Sequence, residues 1–350
     1  MTAAALQLHS IQRVVLVRAL PGLGDMLCAV PTLRAVRAAL PNATVSLVGM
    51  PGAQVLLERF PHYLDELLEF PGFPGLEFDP RPEQFVSFLE AACTPRFDLA
   101  IQMHGSGIYS NIFTVLLGAT YTAGCYLPGQ YCPDNKFFLP YPTHAPEIWR
   151  WLHLLEVLGI PPQGDDLEFP LNDADRQACA ALPAAALLTP GTYICVHAGA
   201  SAVGRRWPLK SFIAVTRQLA RYGMYVVLTG SAAEYEDAAA IAHATGNHVL
   251  NLAGQTSLGS LAVLLRHARL LICNDTGISH LAAALRVPSV VLFTVSEPGR
   301  WAPLDQQRHR VVVAAAPHEP LTMYRRAIEQ EAVLGHVDDL LAQKDTYVAA

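Results

Sequence analysis

Between residues 193 and 293 short apolar runs recur at intervals that each leave room for one helix. The runs at 193–197, 225–229, 249–252, 270–273 and 289–293 are too short for helices and are apolar nearly throughout, as strands covered on both faces must be. The stretches between them, at about 208–221, 233–244, 257–267 and 277–286, have the length and periodicity of crossover helices. Strands alternating with helices in this way specify a parallel, doubly wound α/β sheet.

The first half repeats the theme less regularly. An apolar run at 14–17 is followed by a Pro/Gly-rich turn and an amphipathic stretch from about 26 to 40. There Leu27, Val30, Leu33, Val36 and Leu40 fall three or four residues apart. Pro31 must either kink that helix or mark the first turn of its main part. A run at 44–48 completes a β-α-β unit, and a further strand is expected at 99–103, before His104-Gly105-Ser106-Gly107 and another helical stretch. Residues 120–145, rich in Pro, Tyr and Gly, read as irregular surface, and a helix at about 146–158 leads into a connecting segment at 161–173. A last helix is expected over 321–341. With 350 residues the chain has room for two cores, so the expected architecture is two Rossmann-like domains. The expected boundaries are 1–165, 166–320 and a C-terminal helical segment, 321–350.

Composition narrows the function. No apolar stretch reaches the ~18 residues of a membrane span, and the N-terminus lacks the layout of a secretory signal, so a cytoplasmic protein is expected. The seven cysteines include no C-x-x-C pair, which argues for buried thiols rather than disulfides or a zinc site. The net charge is −6, with 9 Lys/Arg against 14 Asp/Glu in residues 1–165 and 15 against 16 thereafter. A nucleic-acid partner finds no electrostatic support, and any phosphate must be met by a few placed arginines.

In doubly wound sheets chemistry gathers beyond the carboxyl ends of the strands. Four strand ends carry candidates. Asn274-Asp275-Thr276-Gly277 leads from a strand into a helix whose first N–H groups and dipole favour an anion, although Asp275 or Thr276 could simply cap it. His280 lies on that helix's first turn and could equally be a core histidine. His197-Ala198-Gly199-Ala200-Ser201, then Arg205-Arg206-Trp207-Pro208, couples a small-residue loop to guanidinium groups that can bind phosphate oxygens in bidentate fashion. An exposed Arg pair is the plainer reading. Thr229-Gly230-Ser231 with Glu234 offers a carboxylate for ribose hydroxyls or a helix cap. In the first half, Gly22 and Gly24 form a loop that brings Asp25 to the mouth of the sheet, as a general base or as a cap. Neither a G-x-G-x-x-G nor a G-x-x-x-x-G-K-[ST] fingerprint occurs, which counts against a dinucleotide dehydrogenase or P-loop enzyme.

Together these segments resemble glycosyltransferase family 9, the ADP-heptose:lipopolysaccharide heptosyltransferases. Gly24-Asp25 with Pro31 is similar to the family's opening motif. The 197–201 loop with Arg205-Arg206-Trp207-Pro208 is similar to its basic-x-Trp-Pro element. Asn274-Asp275-Thr276-Gly277 through His280-Leu281-Ala282-Ala283-Ala284 resembles its D-[ST]-G-x-x-H-L-A-A-A helix start. Pro288, Phe293, Pro298, Trp301 and Pro303 resemble the strand and loop that follow. Two departures stand out: Arg205 occupies a position where the family usually has lysine, and Arg18 precedes Asp25 by seven residues rather than the expected six.

The resemblance implies a GT-B fold, with an acceptor domain and a donor domain facing across a cleft and the last helix returning to the first domain. It implies inverting, metal-independent transfer of a sugar from a nucleotide diphospho-sugar, with ADP-heptose as donor and no cofactor. The acceptor would be a lipopolysaccharide core or related glycan or glycolipid, with membrane contact at most peripheral, at the inner face of the cytoplasmic membrane. Asp25 corresponds to the general base. Ser201, Arg205, Arg206, Thr276 and Gly277 would hold the diphosphate; Asp275, His280 and Glu234 would hold the donor sugar and ribose. A GT-B sugar-nucleotide epimerase and a non-catalytic sugar-nucleotide-binding protein remain as alternatives.

Overall fold

The computed structural model describes residues 6–76, 82–314 and 328–343. Two compact units divide the chain, Met1–Asp166 and Leu167–Ala350.

The first unit runs β1 (Arg13–Val17), α1 (Leu23–Leu27), α2 (Val30–Ala39), β2 (Thr44–Gly49), α3 (Gln54–Arg59) and β3 (Glu66–Glu69). It continues with α4 (Pro82–Ala92), β4 (Leu99–Gln102), α5 (Ser110–Leu116), β5 (Tyr121–Tyr126), β6 (Phe138–Pro140) and α6 (Glu147–Val157). Pro31 falls in the first turn of α2, where its missing N–H costs no helical hydrogen bond. It therefore marks a helix start, and the amphipathic run divides into α1 and α2.

The second unit runs α7 (Asp173–Ala180), β7 (Tyr193–His197), α8 (Leu209–Ala220), β8 (Tyr225–Leu228), α9 (Tyr235–Thr245), β9 (Val249–Asn251) and α10 (Leu258–His267). β10 (Leu270–Asn274), α11 (Gly277–Ala284), β11 (Ser289–Phe293), α12 (Pro298–Trp301), β12 (His309–Val313) and α13 (Gln330–Ala342) complete it.

The strand orders are β3-β2-β1-β4-β5-β6 and β12-β11-β10-β7-β8-β9, and every pairing is parallel. Counted from each unit's own first strand, both sheets read 3-2-1-4-5-6, the doubly wound order. Each therefore has a switch point, between β1 and β4 in the first unit and between β7 and β10 in the second. Chain leaving these neighbouring strands departs to opposite faces, which opens a crevice at their carboxyl ends. Val14 to Val17 and Leu270 to Cys273 are fully buried, because helices cover both faces of each sheet.

Four strands go beyond the expectation, and three of them, β3, β6 and β12, lie at sheet edges. The Pro/Tyr/Gly-rich stretch expected to be irregular instead contains β5 and β6. α13 buries Val333, Val337 and Leu340 in the core of the second unit, against residues of α8, β10 and β11. Residues 321–327 of the expected helix lie outside the described residues. All seven cysteines are free thiols, with Cys28, Cys125, Cys195 and Cys273 buried. Among the described residues no helix is long and apolar enough to cross a membrane.

Candidate active site

In the first unit the crevice at β1 and β4 is organised by one buried arginine. Arg18, 4 % exposed, follows β1 directly. Its Nε donates to the Asp25 carbonyl at 2.8 Å, and one terminal nitrogen donates to the Met103 carbonyl at 2.9 Å and to Glu147 Oε1 at 3.1 Å. The other terminal nitrogen lies 3.8 Å from Asp25 Oδ1, an ion-pair distance. Glu147, from α6, is itself buried and also accepts from Arg150 at 2.8 Å and from Trp151 Nε1 at 3.0 Å. A buried carboxylate survives only with such a complete set of donors. The network fixes Arg18, and Arg18 fixes the turn that carries Asp25.

Asp25 lies in the first turn of α1, and its carboxylate folds back over Gly22: a Cβ there would come within 2.5 Å of Asp25 Oδ2. Gly22 is thus needed for space, and Gly24 beside it is buried. The Asp25 side chain keeps about a quarter of its surface exposed. His104 leaves the end of β4 in the same crevice, and its pKa is lowered to about 4, chiefly by burial and next by Arg18.

In the second unit the centre is Asn274, fully buried at the end of β10. Its Oδ1 accepts the Trp207 backbone N–H at 2.9 Å, and its Nδ2 donates to the carbonyls of Ala198 at 2.8 Å and Gly199 at 3.2 Å. Both polar atoms are thus committed to protein. Asn274 clamps the loop after β7 from both ends. Three further bonds hold the loop and its flanks: Arg206 Nε to Ala200 O at 2.9 Å, Thr294 Oγ1 to Gly204 O at 2.8 Å, and Trp207 Nε1 to Ile328 O at 3.2 Å.

The two arginines therefore differ. Arg206 is tied to Ala200 and lies 3.8 Å from Asp237. The Arg205 guanidinium, half-buried, has no hydrogen-bond or ion-pair partner among the described residues. Thr276 is the N-cap residue of α11 but makes no side-chain cap bond, so its hydroxyl is not spent on the helix. Gly277 opens α11, Asp275 and His280 are buried, and His280 meets Trp301 edge to face at 6.2 Å. Ser201 is exposed.

Glu234 does cap: its Oε2 accepts from the Ser231 N–H at 2.7 Å and the Ser231 hydroxyl at 2.9 Å. The same carboxylate presses on the first loop, since a Cβ on Gly199 would land inside it. Nearby, His197 Nδ1 lies 3.1 Å from the Thr229 hydroxyl, and burial lowers the His197 pKa against the opposing pull of Glu234. The structure thus gathers Gly199, Glu234, Asn274 and the flanks of the arginine turn at the β7–β10 switch point. Arg18 and Asp25 gather at the β1–β4 switch point. Sequence reasoning missed His104, Glu147 and Arg150 as parts of the latter; only His104, next to a Gly-Ser-Gly turn at a strand end, left a local signal.

The profile of Glycosyltransferase family 9 (heptosyltransferase) matches residues 86–330, well over half of the chain. The chain belongs to this family. It is a glycosyltransferase. Among curated relatives, lipopolysaccharide heptosyltransferase 2 of Escherichia coli K12 is 25% identical over 317 residues, covering 85% of this chain and 87% of its own length. A glycosyl transferase family 9 structure from Veillonella parvula DSM 2008 superposes with a TM-score of 0.79 at 21% identity, covering 97% of this chain and 99% of its own. An E. coli heptosyltransferase solved with ADP gives a TM-score of 0.68 at 20% identity, covering 94% and 100%. These family 9 structures share the two-domain GT-B fold, and at such identities the likeness speaks for the fold alone.

Proposed function

We propose that this family 9 enzyme transfers a heptose from ADP-heptose to a hydroxyl of a lipopolysaccharide core, in the cytoplasm, by a single inverting displacement that needs no metal. The relative named for lipopolysaccharide heptosyl transfer and the ADP-bound neighbour supply the substrate classes. The observation that carries the donor side is the Asn274 clamp: it brings the small-residue loop, the arginine turn and the start of α11 to one strand end.

In this reading Asp25 takes the proton from the acceptor hydroxyl. That oxygen attacks the anomeric carbon, the bond to the diphosphate oxygen breaks, and ADP departs with the electron pair. Arg205, Thr276 and the Gly277 N–H meet the charge that develops on the leaving diphosphate, with Ser201 at the loop's edge. Arg206 shapes the loop while adding positive field. Asp275, His280 and Glu234 serve the donor sugar and ribose, Glu234 through the oxygen that is not committed to Ser231. The uncommitted Arg205 guanidinium, together with the positive end of the α11 dipole, supplies what a divalent cation would otherwise do, which is the support for metal independence.

The test is transfer from ADP-heptose to a panel of truncated lipopolysaccharide cores, with and without EDTA, by wild type and Asp25→Asn. Wild type should transfer sugar in EDTA, and Asp25→Asn should lose about 10² to 10⁴ in rate while still binding ADP. Full activity in Asp25→Asn would remove the base role, and dependence on a metal would remove the displacement as written.

A further inference from the structure

Three of the buried or half-buried histidines, His104, His197 and His309, differ in how their rings are satisfied. His309 is 2 % exposed and its Nδ1 lies 2.8 Å from the Ser289 hydroxyl, a core histidine with a hydrogen-bond partner. His197 has the Thr229 hydroxyl. His104, 8 % exposed, has a fully buried Nδ1 with no hydrogen-bond partner, while Nε2 is not among the atoms closed off from solvent.

Burial and the Arg18 charge keep this imidazole neutral, with its pKa near 4. A neutral ring has one N–H, and burying an orphan lone pair costs less than burying an orphan donor. The proton therefore belongs on Nε2, the nitrogen that can still be reached. A packing role does not explain a polar ring placed at a strand end with its buried nitrogen unsatisfied.

Place supplies the second observation. His104 leaves the carboxyl end of β4, which pairs directly with β1, with Val17 opposite Gln102. Arg18 bonds to the carbonyl of Met103, the residue before His104, and to the carbonyl of Asp25. One buried guanidinium thus sets the turn bearing the proposed base and the turn bearing His104 against each other. Gly105 and Gly107 adopt left-handed φ values of +63° and +89°, which turns the chain sharply away just after the ring.

We infer that His104 is an acceptor-binding residue, donating a hydrogen bond from Nε2 to a hydroxyl oxygen of the acceptor sugar and so holding the reacting hydroxyl against Asp25. The inference rests on the glycosyl-transfer reading above. It names the polar anchor on the acceptor side, where the fold offers no field of basic residues. The donor binds in the other unit, so the two substrates' constants separate this role from general damage.

Steady-state constants for both substrates, measured on the best of the truncated cores, test it with three variants. His104→Leu removes the donor group; His104→Asn can present an amide only where Nδ1 stood; His104→Gln can place an N–H near the position of Nε2. The Leu and Asn variants should raise the acceptor KM roughly three- to tenfold, as loss of one neutral hydrogen bond predicts, with the ADP-heptose KM unchanged. His104→Gln should return to within about threefold of wild type. An unchanged acceptor KM in His104→Leu, or a parallel rise in both KM values, would overturn the assignment. If the Leu protein does not fold by its melting curve, the Asn–Gln difference decides alone, and equal constants for those two would overturn it. Wild type inactive on every core would instead remove the underlying reading, and the inference with it.

Discussion

Replacing Asn274 by alanine should disable the donor side without touching any atom that meets the donor. The substitution removes three hydrogen bonds, at 2.9, 2.8 and 3.2 Å, and strands the Trp207 N–H together with the carbonyls of Ala198 and Gly199. A buried polar group left without a partner costs about 1–3 kcal/mol. The Trp207 and Gly199 bonds are buried and the Ala198 bond is partly so, hence the expected loss is roughly 2–5 kcal/mol, before any cavity term. For a unit of this size each kcal/mol lowers Tm by about 2–4 °C. A calorimetric transition shifted down by roughly 5–15 °C should follow. The more specific signal is local. Hydrogen exchange should accelerate at the Trp207 amide and through the loop after β7, and ADP affinity should fall about tenfold or more, because the arginine turn is no longer held. Asn274→Asp, which keeps the shape and the acceptor but loses the Nδ2 donor, should fail similarly. Native protection at the Trp207 amide together with wild-type ADP affinity in Asn274→Ala would refute the clamp.

Arg205→Ala should lower kcat about 10²- to 10³-fold as transition-state charge loses its partner, whereas Arg206→Ala should mainly loosen the loop and cost less; pre-steady-state transfer rates separate the two, and equal effects would contradict the assignment. Gly199→Ala should weaken ADP binding and lower Tm, because the added methyl must displace the Glu234 carboxylate; an unchanged melting curve would show that Glu234 yields freely. Both units should lose stability as pH falls from 7 to 5. His104 in the first and His309 in the second have folded-state pKa values near 4, below the 6.5 of a free histidine, so the unfolded chain takes up protons first and stability drains away below about pH 6.5. At pH 5 the 1.5-unit span below 6.5 corresponds to about 2 kcal/mol per histidine. A Tm independent of pH across that range would count against both buried, neutral rings.

The strands that sequence reasoning missed show where local signals end. Central strands such as β1 and β10 are read easily because both faces are covered and every position must be apolar. At the edges that demand relaxes. Glu66-Leu67-Leu68-Glu69 carries charge at both ends, Phe138-Leu139-Pro140 ends in a residue that an interior ladder would reject, and β12 begins with His309 and Arg310. Such segments become strands because a neighbouring strand is present to pair with, which no local window records. The site divides similarly. Gly22, Gly24 and Asp25 were visible as a Gly loop with an acid at a strand end, and Arg205 and Arg206 as a pair after a small-residue loop. What each does was not visible, since the bonds that hold their turns come from far along the chain: Met103 and Glu147 on Arg18, and Asn274 on the Trp207 N–H.

From the sequence alone came the doubly wound class, the two-domain organisation as an expectation, and the family likeness carried by Asn274-Asp275-Thr276-Gly277 and its companions. These follow from periodicity and short motifs, which survive in one dimension because burial and helix starts are local demands. Tertiary structure decided the division of labour. It made Asn274 a clamp on the loop after β7, separated a committed Arg206 from an uncommitted Arg205, and tied Asp25 through Arg18 to a carboxylate on α6. It also left His104 as a neutral donor at the second strand of its switch point. Hydrogen bonds are directional and buried polar groups must find partners wherever the fold brings them, so roles of this kind exist only once the chain has closed on itself.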